Sequence, residues 1–203
     1  MEFSTLFEPS AAIGGDYFDV LRVDEDRLAV VVADVSGHGL PTGLRMAMLK
    51  AALVILVEER KPAEEILRRL NGMVRAEEKQ RFFVTATIAV IDFRRHHLQI
   101  TNAAHPPSYL LRRGQAHEIL LTGSPLGALG DEYGRHDVAL EPGYFSIALS
   151  GHPVKDRLGQ RRSALFQGGD SMSPSLFAYP FNLSYLLFTF SAVSSSPPSS
   201  SSR

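Results

Sequence analysis

Cysteine is absent from all 203 residues. That excludes a disulfide framework, a thiolate zinc site and a cysteine nucleophile, and it fits a reducing cytoplasm. An excess of charge of either sign is missing too. Formal net charge is -1, with 21% charged and 44% hydrophobic residues, a balance that describes a globular chain and excludes a generally basic nucleic-acid binder. Met1 to Phe18 has no basic apolar run of the kind that opens a secretory signal. Several signatures are also missing: an H-E-x-x-H zinc helix, a G-x-x-x-x-G-K-[ST] phosphate loop and a G-x-S-x-G nucleophile elbow. There is no internal repeat.

Charge runs out along the chain. After Arg162 only Asp170 and Arg203 are charged, and Ser194 to Arg203 is almost wholly Ser and Pro. Such a segment cannot pack a core. Leu176 to Val193 is apolar, but Pro180, Asn182 and several serines interrupt it. A bilayer span needs about 20 largely apolar residues, so no membrane anchor is expected. The expected division is therefore a folded part over 1–143 and a divergent, poorly ordered tail over 144–203.

The folded part carries clear periodicities. Tyr17 to Val23 alternates as a strand does, and Asp24-Glu25-Asp26 reads as a turn. Leu28 to Ala33 is a continuous apolar run ending at Asp34, as expected of a strand buried on both faces. Ser36-Gly37-His38-Gly39 is a tight loop, and Pro41 can open a helix running to about Glu58. Leu44, Ala47, Met48, Ala51, Ala52, Ile55 and Leu56 cover most of that helix, so it should be largely buried. Pro62 opens a second helix with Ile66, Leu67, Leu70, Met73 and Val74 on one face. Strands are expected over Phe82 to Ile91, Leu98 to Asn102, Ser108 to Arg112 and Ala116 to Leu121, the last two joined at Arg113-Gly114. Grouped helices and hairpin-linked strands argue for an antiparallel α+β layered fold, not a doubly wound parallel sheet.

Two segments hold the chemistry. Gly14-Gly15-Asp16-Tyr17-Phe18-Asp19 opens the first strand, and Ala33-Asp34-Val35-Ser36-Gly37-His38-Gly39 closes the second. If these strands pair as a hairpin, Asp16 and Asp34 approach each other at one end of the sheet. Two carboxylates so placed repel unless a cation lies between them. Hard cations such as Mg²⁺ or Mn²⁺ favour such oxygen ligands, and glycines let backbone come close enough for a carbonyl such as that of Val35 to join them. His38 and the pair His96-His97 are expected to be solvated loop residues.

With Phe83-Val84-Thr85-Ala86, Asn102-Ala103-Ala104-His105-Pro106-Pro107 and Pro125-Leu126-Gly127, these segments make five motifs in order. Together they resemble the SpoIIE/RsbU-type branch of the metal-dependent protein phosphatases, the PPM family, over about two thirds of the chain. The resemblance implies an antiparallel β-sandwich flanked by helices, incomplete here at its C-terminus, with two Mn²⁺ or Mg²⁺ ions at one end. It implies hydrolysis of phosphoserine or phosphothreonine by metal-activated water. Asp34 would bridge the metals, the Val35 carbonyl would coordinate, and Asp16 would be a ligand or hold a ligand water. The partner it implies is a phosphorylated anti-sigma-factor antagonist, in the cytoplasm, with association between copies left open. After Pro142-Gly143 the family pattern continues with Asp, an apolar strand and a Thr/Ser-Asp-Gly motif whose Asp binds metal. Here Tyr144 follows Gly143, and the Asp-Gly position reads Ser150-Gly151-His152. A catalytically impaired remnant is therefore the alternative expectation.

Overall fold

The computed structural model describes residues 2–4, 15–77, 82–112, 115–140, 144–150 and 185–191. In chain order its elements are β1 (Glu2–Ser4), β2 (Asp16–Arg22), β3 (Arg27–Val35), α1 (Leu40–Glu58), α2 (Ala63–Arg75), β4 (Val84–Asp92), β5 (His97–Ala103), β6 (Ser108–Arg112), β7 (Gln115–Ile119), β8 (Arg135–Ala139), β9 (Tyr144–Ser150) and β10 (Tyr185–Ser191). They form two antiparallel five-stranded sheets, ordered β2-β3-β4-β5-β8 and β1-β10-β9-β6-β7. The expected α+β sandwich is the observed architecture, and among the described residues both helices cover the first sheet.

Strand alternation sorts the first sheet into two cores. Tyr17, Val31, Ala33, Val35, Val84, Ala86 and Ile88 face Leu49, Leu53, Leu67 and Leu70 of the helices. Their neighbours Val30, Val32, Ala89, Ile91, Leu98 and Ile100 face Leu110 and Ile119 of the second sheet. β3 is buried on both sides, which is why Leu28 to Ala33 is an unbroken apolar run without alternation. The helix-side core closes on the loop after β7. There Asn71 of α2, buried, accepts from Gly127 N–H at 2.7 Å and donates to the Gly130 carbonyl at 3.0 Å. Leu126 exchanges backbone hydrogen bonds with Val84. This is the structural role of Pro125-Leu126-Gly127: it seals the start of β4.

One expectation is corrected, and strands stand where none was expected. Helix α1 is not largely buried. Thr42, Leu49, Leu53, Leu56 and Val57 are its buried residues, while Leu44, Met48 and Ile55 are 59%, 52% and 58% exposed. An apolar composition all round does not decide burial when only one side meets a sheet. α1 is also long and apolar enough to cross a membrane by length and composition, yet its inner face lies in the core. Secondly, two strands, β9 and β10, stand within 144–203. β9 pairs with β6 and with β10, and β10 pairs with β1 from the other end of the chain. Leu186 to Phe190 is aromatic and aliphatic enough to form a strand once a partner edge exists. Residues 151–184 and 192–203, with most of the expected tail, lie outside the described residues. Thirdly, β8 is a strand the periodicity did not reveal, because all but Val138 of its residues are exposed.

β8 is an edge of the first sheet, and it is charged. Arg135 donates to Asp137 at 2.6 Å and to Glu64 of α2 at 3.3 Å. Charges on an exposed edge discourage strand addition by another chain. The turn at Arg113-Gly114 lies outside the described residues, though Arg112 and Gln115 are paired across it as expected.

The two faces of α1 should respond oppositely to substitution. Leu53→Ala is expected to destabilise by about 2–5 kcal/mol, as large-to-small core changes do. Leu44→Glu and Met48→Lys should stay within about 0.5 kcal/mol of the parent. Urea denaturation of the three variants checks this, and a loss at Leu44 comparable to that at Leu53 would contradict the assigned faces.

Candidate metal-binding end of the sandwich

The hairpin β2–β3 brings the two aspartates together. Asp16 and Asp34 are directly opposite in the register, and Asp34 is in turn opposite Thr85 on β4. Residues opposite one another on antiparallel strands share a face of the sheet. For these three it is the face toward the second sheet, since Phe18, Val20, Val30, Val32 and Ala89 lie on it. All three are half-buried between buried chain neighbours. One row further in come Phe18, Val32, Thr87 and Asn102, and beyond those Val20, Val30, Ala89 and Ile100. The inter-sheet space thus passes from a dry aliphatic interior to a polar mouth in two rows.

The backbone around the pair is tightly drawn. Val35 N–H donates to the Gly15 carbonyl at 2.9 Å. A Cβ on residue 15 would collide with the Val35 carbonyl oxygen and lie 2.7 Å from Asp34 Oδ1. Only glycine lets β2 pass this close, so Gly15, the Val35 carbonyl and the Asp34 carboxylate crowd one point. Ser36 fastens the following loop: its N–H donates to the Phe83 carbonyl and its hydroxyl accepts from Phe83 N–H, both at 2.9 Å. Gly37 has φ of 109°, a turn conformation that strains other residues. His38 is exposed on this loop and His96 on a turn, as expected, whereas His97 is no loop residue: it opens β5, is half-buried and has Nε2 3.3 Å from Asp137 Oδ1.

The second aspartate of the opening motif does different work. Asp19 is on the helix-facing side of β2, where it accepts from the Tyr17 hydroxyl at 2.9 Å and pairs with Lys50 of α1 at 3.1 Å. Burial, with that hydrogen bond, pushes the Tyr17 phenol well above its ordinary value. The spacing Asp16–Asp19 therefore splits the two carboxylates between the faces of one strand.

The far side of the mouth is built from the Asn102 to His105 motif. Asn102 is buried, donates to Thr87 Oγ1 and to the His105 carbonyl, and accepts from His105 N–H, each at 2.9 Å. That clamp bends the chain through Ala104, which has a positive φ of 53°, and delivers the buried His105 ring to Thr85, with Nδ1 and Oγ1 2.9 Å apart. Thr85 and His105 had no role assigned from sequence. Their motifs were visible, but nothing in local periodicity says that they meet.

β6 starts at Ser108, just after His105, and so begins at this polar end. β9 runs antiparallel to it with Tyr109 opposite Ala148. Ser150, the last residue of β9, therefore ends at the same end of the sandwich as the aspartates. Asp156 and Asp170 lie outside the described residues.

The sequence profile of the Stage II sporulation protein E (SpoIIE) family matches residues 24–150. The chain belongs to the SpoIIE family. The match ends at Ser150, beyond the boundary at Gly143 expected from the motifs. Among its relatives is phosphoserine phosphatase RsbU of Bacillus subtilis, 26% identical over 153 residues, which cover 74% of this chain and 45% of RsbU. The chain thus spans under half of that relative. The crystal structure of the RsbU and RsbW domains of Rv1364c from Mycobacterium tuberculosis is similar with a TM-score of 0.65 and 27% identity, covering 73% of this chain and 42% of that one. RsbX, crystallised in complex with magnesium, is similar with a TM-score of 0.66 and 23% identity, covering 92% of each chain. These likenesses agree with the phosphatase fold implied by the motifs.

The donor set suits a hard cation in kind: two carboxylates in one row and a carbonyl that glycine leaves accessible. It is short in number, for among the described residues no three His, Cys, Asp or Glu side chains gather at one point.

Two outcomes test this geometry. Gly15→Ala should cost about 1–3 kcal/mol by overpacking and should weaken Mn²⁺ binding, since the Val35 carbonyl must move; calorimetric titration and thermal unfolding on one preparation read both. At alkaline pH, Tyr17 has a folded-state value above its unfolded 10.0. Its contribution is complete below about pH 10 and is lost as pH rises further, because only the unfolded chain ionises. Tyr17→Phe should therefore flatten the stability decline above about pH 10, and an unchanged slope in denaturation series would contradict a buried phenol.

Proposed function

We propose that the protein is a metal-dependent serine/threonine phosphatase domain that removes phosphate from a regulatory protein of the anti-sigma-factor-antagonist type. The observation that carries this reading is the register pairing of Asp16 with Asp34 beside the Val35 carbonyl, at the polar mouth of the sandwich. Membership of the SpoIIE family supports the reaction class, as does similarity to a relative named phosphoserine phosphatase. The magnesium complex of RsbX supports a divalent cation. Asp16, Asp34 and the Val35 carbonyl would hold Mn²⁺ or Mg²⁺. When bound, such ions act as Lewis acids and make water nucleophilic near neutral pH. The chain supplies the rest. Asp34 projects from a strand buried on both faces, so its carboxylate is held by the core and not by a loop. The Ser36–Phe83 clasp fixes the backbone that carries the Val35 carbonyl. The dry rows behind exclude water from one side, which strengthens charge interactions at the mouth. A cytoplasmic location accompanies this reading.

One observation favours a second reading, a remnant that binds a phosphoprotein without hydrolysing it. β9 reaches the mouth with Ser150, where the motif pattern of such phosphatases carries aspartate. A serine offers no negative charge to offset the dehydration of a second cation.

Asp34→Asn separates the readings while preserving shape. Positioning partners of metal ligands are typically worth roughly 10–100-fold in metal affinity, so loss of a ligand should weaken Mn²⁺ binding by ~100-fold or more. Phosphate release from phosphoserine peptides, with Mn²⁺ titrated into both forms, is the measurement. Hydrolysis by the parent and none by the variant supports the phosphatase. Inactivity in both, with Mn²⁺ binding lost only in the variant, supports the remnant. Equal Mn²⁺ affinity in the two removes the site assignment.

A further inference from the structure

We infer that the outer face of α1 is a dimerisation surface, on which a second copy of the chain docks its own α1 in antiparallel orientation. At 3.6 residues per turn, Leu40, Leu44, Ala47, Met48, Ala51 and Ile55 fall within about 100° of arc. All six are exposed. The buried residues Thr42, Leu49, Leu53, Leu56 and Val57 lie on the opposite side. The only charges between Leu40 and Val57 sit on the flanks, and both engage neighbours away from the stripe. Arg45 stands 4.4 Å from the centre of the Phe82 ring, and Lys50 pairs with Asp19. The outer face is thus a charge-free apolar stripe along a 19-residue helix, whereas an ordinary free surface shows apolar residues singly.

The order of side chains on this stripe complements itself when reversed. A two-fold interface must be self-complementary, because one patch meets its own copy. With the axis at the level between Leu49 and Lys50, Leu44 of each copy lies against Ile55 of the other, and Met48 against Ala51. Large side chains then meet small ones at the centre, where Ala47 and Ala51 let the helix axes approach to about 8 Å. A parallel pair would set Met48 on Met48 and Ala51 on Ala51, overfilling one level and emptying the next. Charge agrees with the antiparallel register. The first turn of α1 has no acidic residue, and its N-cap, Gly39, makes no side-chain cap hydrogen bond. Antiparallel pairing brings the exposed Glu58 of one copy to the level of Pro41 in the other, where the helix dipole favours a carboxylate. One helix face about 28 Å long and about 10 Å wide covers much less than the roughly 1,200 Å² that stable complexes bury. The dimer is therefore weak and depends on concentration.

Sedimentation of the full chain tests the surface. The parent should shift reversibly from monomer toward dimer as its concentration rises to about 1 mM. Leu44→Glu, at an exposed position, should keep the fold and weaken association by about tenfold or more, because the pair would bury a charge. Ala51→Leu discriminates further. It adds apolar surface to α1 and would strengthen unspecific clustering, yet it fills the space that Met48 of the other copy needs, and so should weaken the dimer by about tenfold. The chain has no cysteine, so introduced thiols report the register. Leu44→Cys mixed with Ile55→Cys should form a disulfide-linked dimer under mild oxidation. Either variant alone should not, since its two copies of the thiol stand roughly 16 Å apart along the helices. A parent that stays monomeric throughout overturns the inference. Association unchanged by Leu44→Glu, or strengthened by Ala51→Leu, overturns it as well. Cross-linking of Leu44→Cys with itself, as efficient as in the mixture, overturns the antiparallel arrangement.

Discussion

Because β2, β3 and β4 are hydrogen-bonded in one antiparallel register, Asp16, Asp34 and Thr85 share a row at the end of the inter-sheet face. A slip of one residue in either pairing would turn a whole strand over, sending its carboxylate to the helix side and its aliphatic residues to the mouth. Val30 and Val32 fill one core while Val31, Ala33 and Val35 fill the other, so β3 is apolar on both faces and does not by itself fix the register. The alternating neighbours do: Phe18 and Val20 of β2, and Leu98 and Ile100 of β5, face the second sheet, while Asp19 faces the helices and Gln99 lies on the opposite face of β5.

Glycine and asparagine complete what register begins. Gly15 lets the first strand approach the Val35 carbonyl at a distance no Cβ would allow. On the opposite side, Asn102 satisfies the backbone of a tight turn and brings His105 against Thr85. Both residues are small or polar at positions surrounded by apolar strands. Each therefore gives up packing locally in return for a backbone path that converges on the mouth.

The second sheet shows how distant parts of the chain meet there. β1 and β10, near opposite termini, pair with each other, and β10 pairs with β9. β9 ends at Ser150 beside the start of β6, so this strand addresses the same mouth as the aspartates. The absence of an acidic residue at its end is a feature of composition, and the strand itself is present.

Much was legible in the sequence because it depends on local pattern. The strands at Tyr17 and Leu28, the two helices, the face of α2 and the Arg113-Gly114 connection follow from period and turn chemistry, and the ordered motifs carried the family. Asp16 and Asp34 could be paired on paper, since a short turn joins their strands and fixes which residues oppose. Other features needed the tertiary structure. α1 is apolar on every side, so only its contact with one sheet decides that Leu49 and Leu53 are covered while Leu44 and Met48 are not. β8 has no buried alternation to announce it, and β10 is a strand because β9 and β1 flank it. The contact of His105 with Thr85 joins residues twenty positions apart through a positive-φ turn at Ala104. Local sequence determined which segments could be strands, which aspartates lie at strand ends and which glycines permit close approach, for those depend on neighbouring residues alone. Tertiary structure decided which apolar faces are covered and which polar groups share the mouth, because those depend on strands brought together from across the chain.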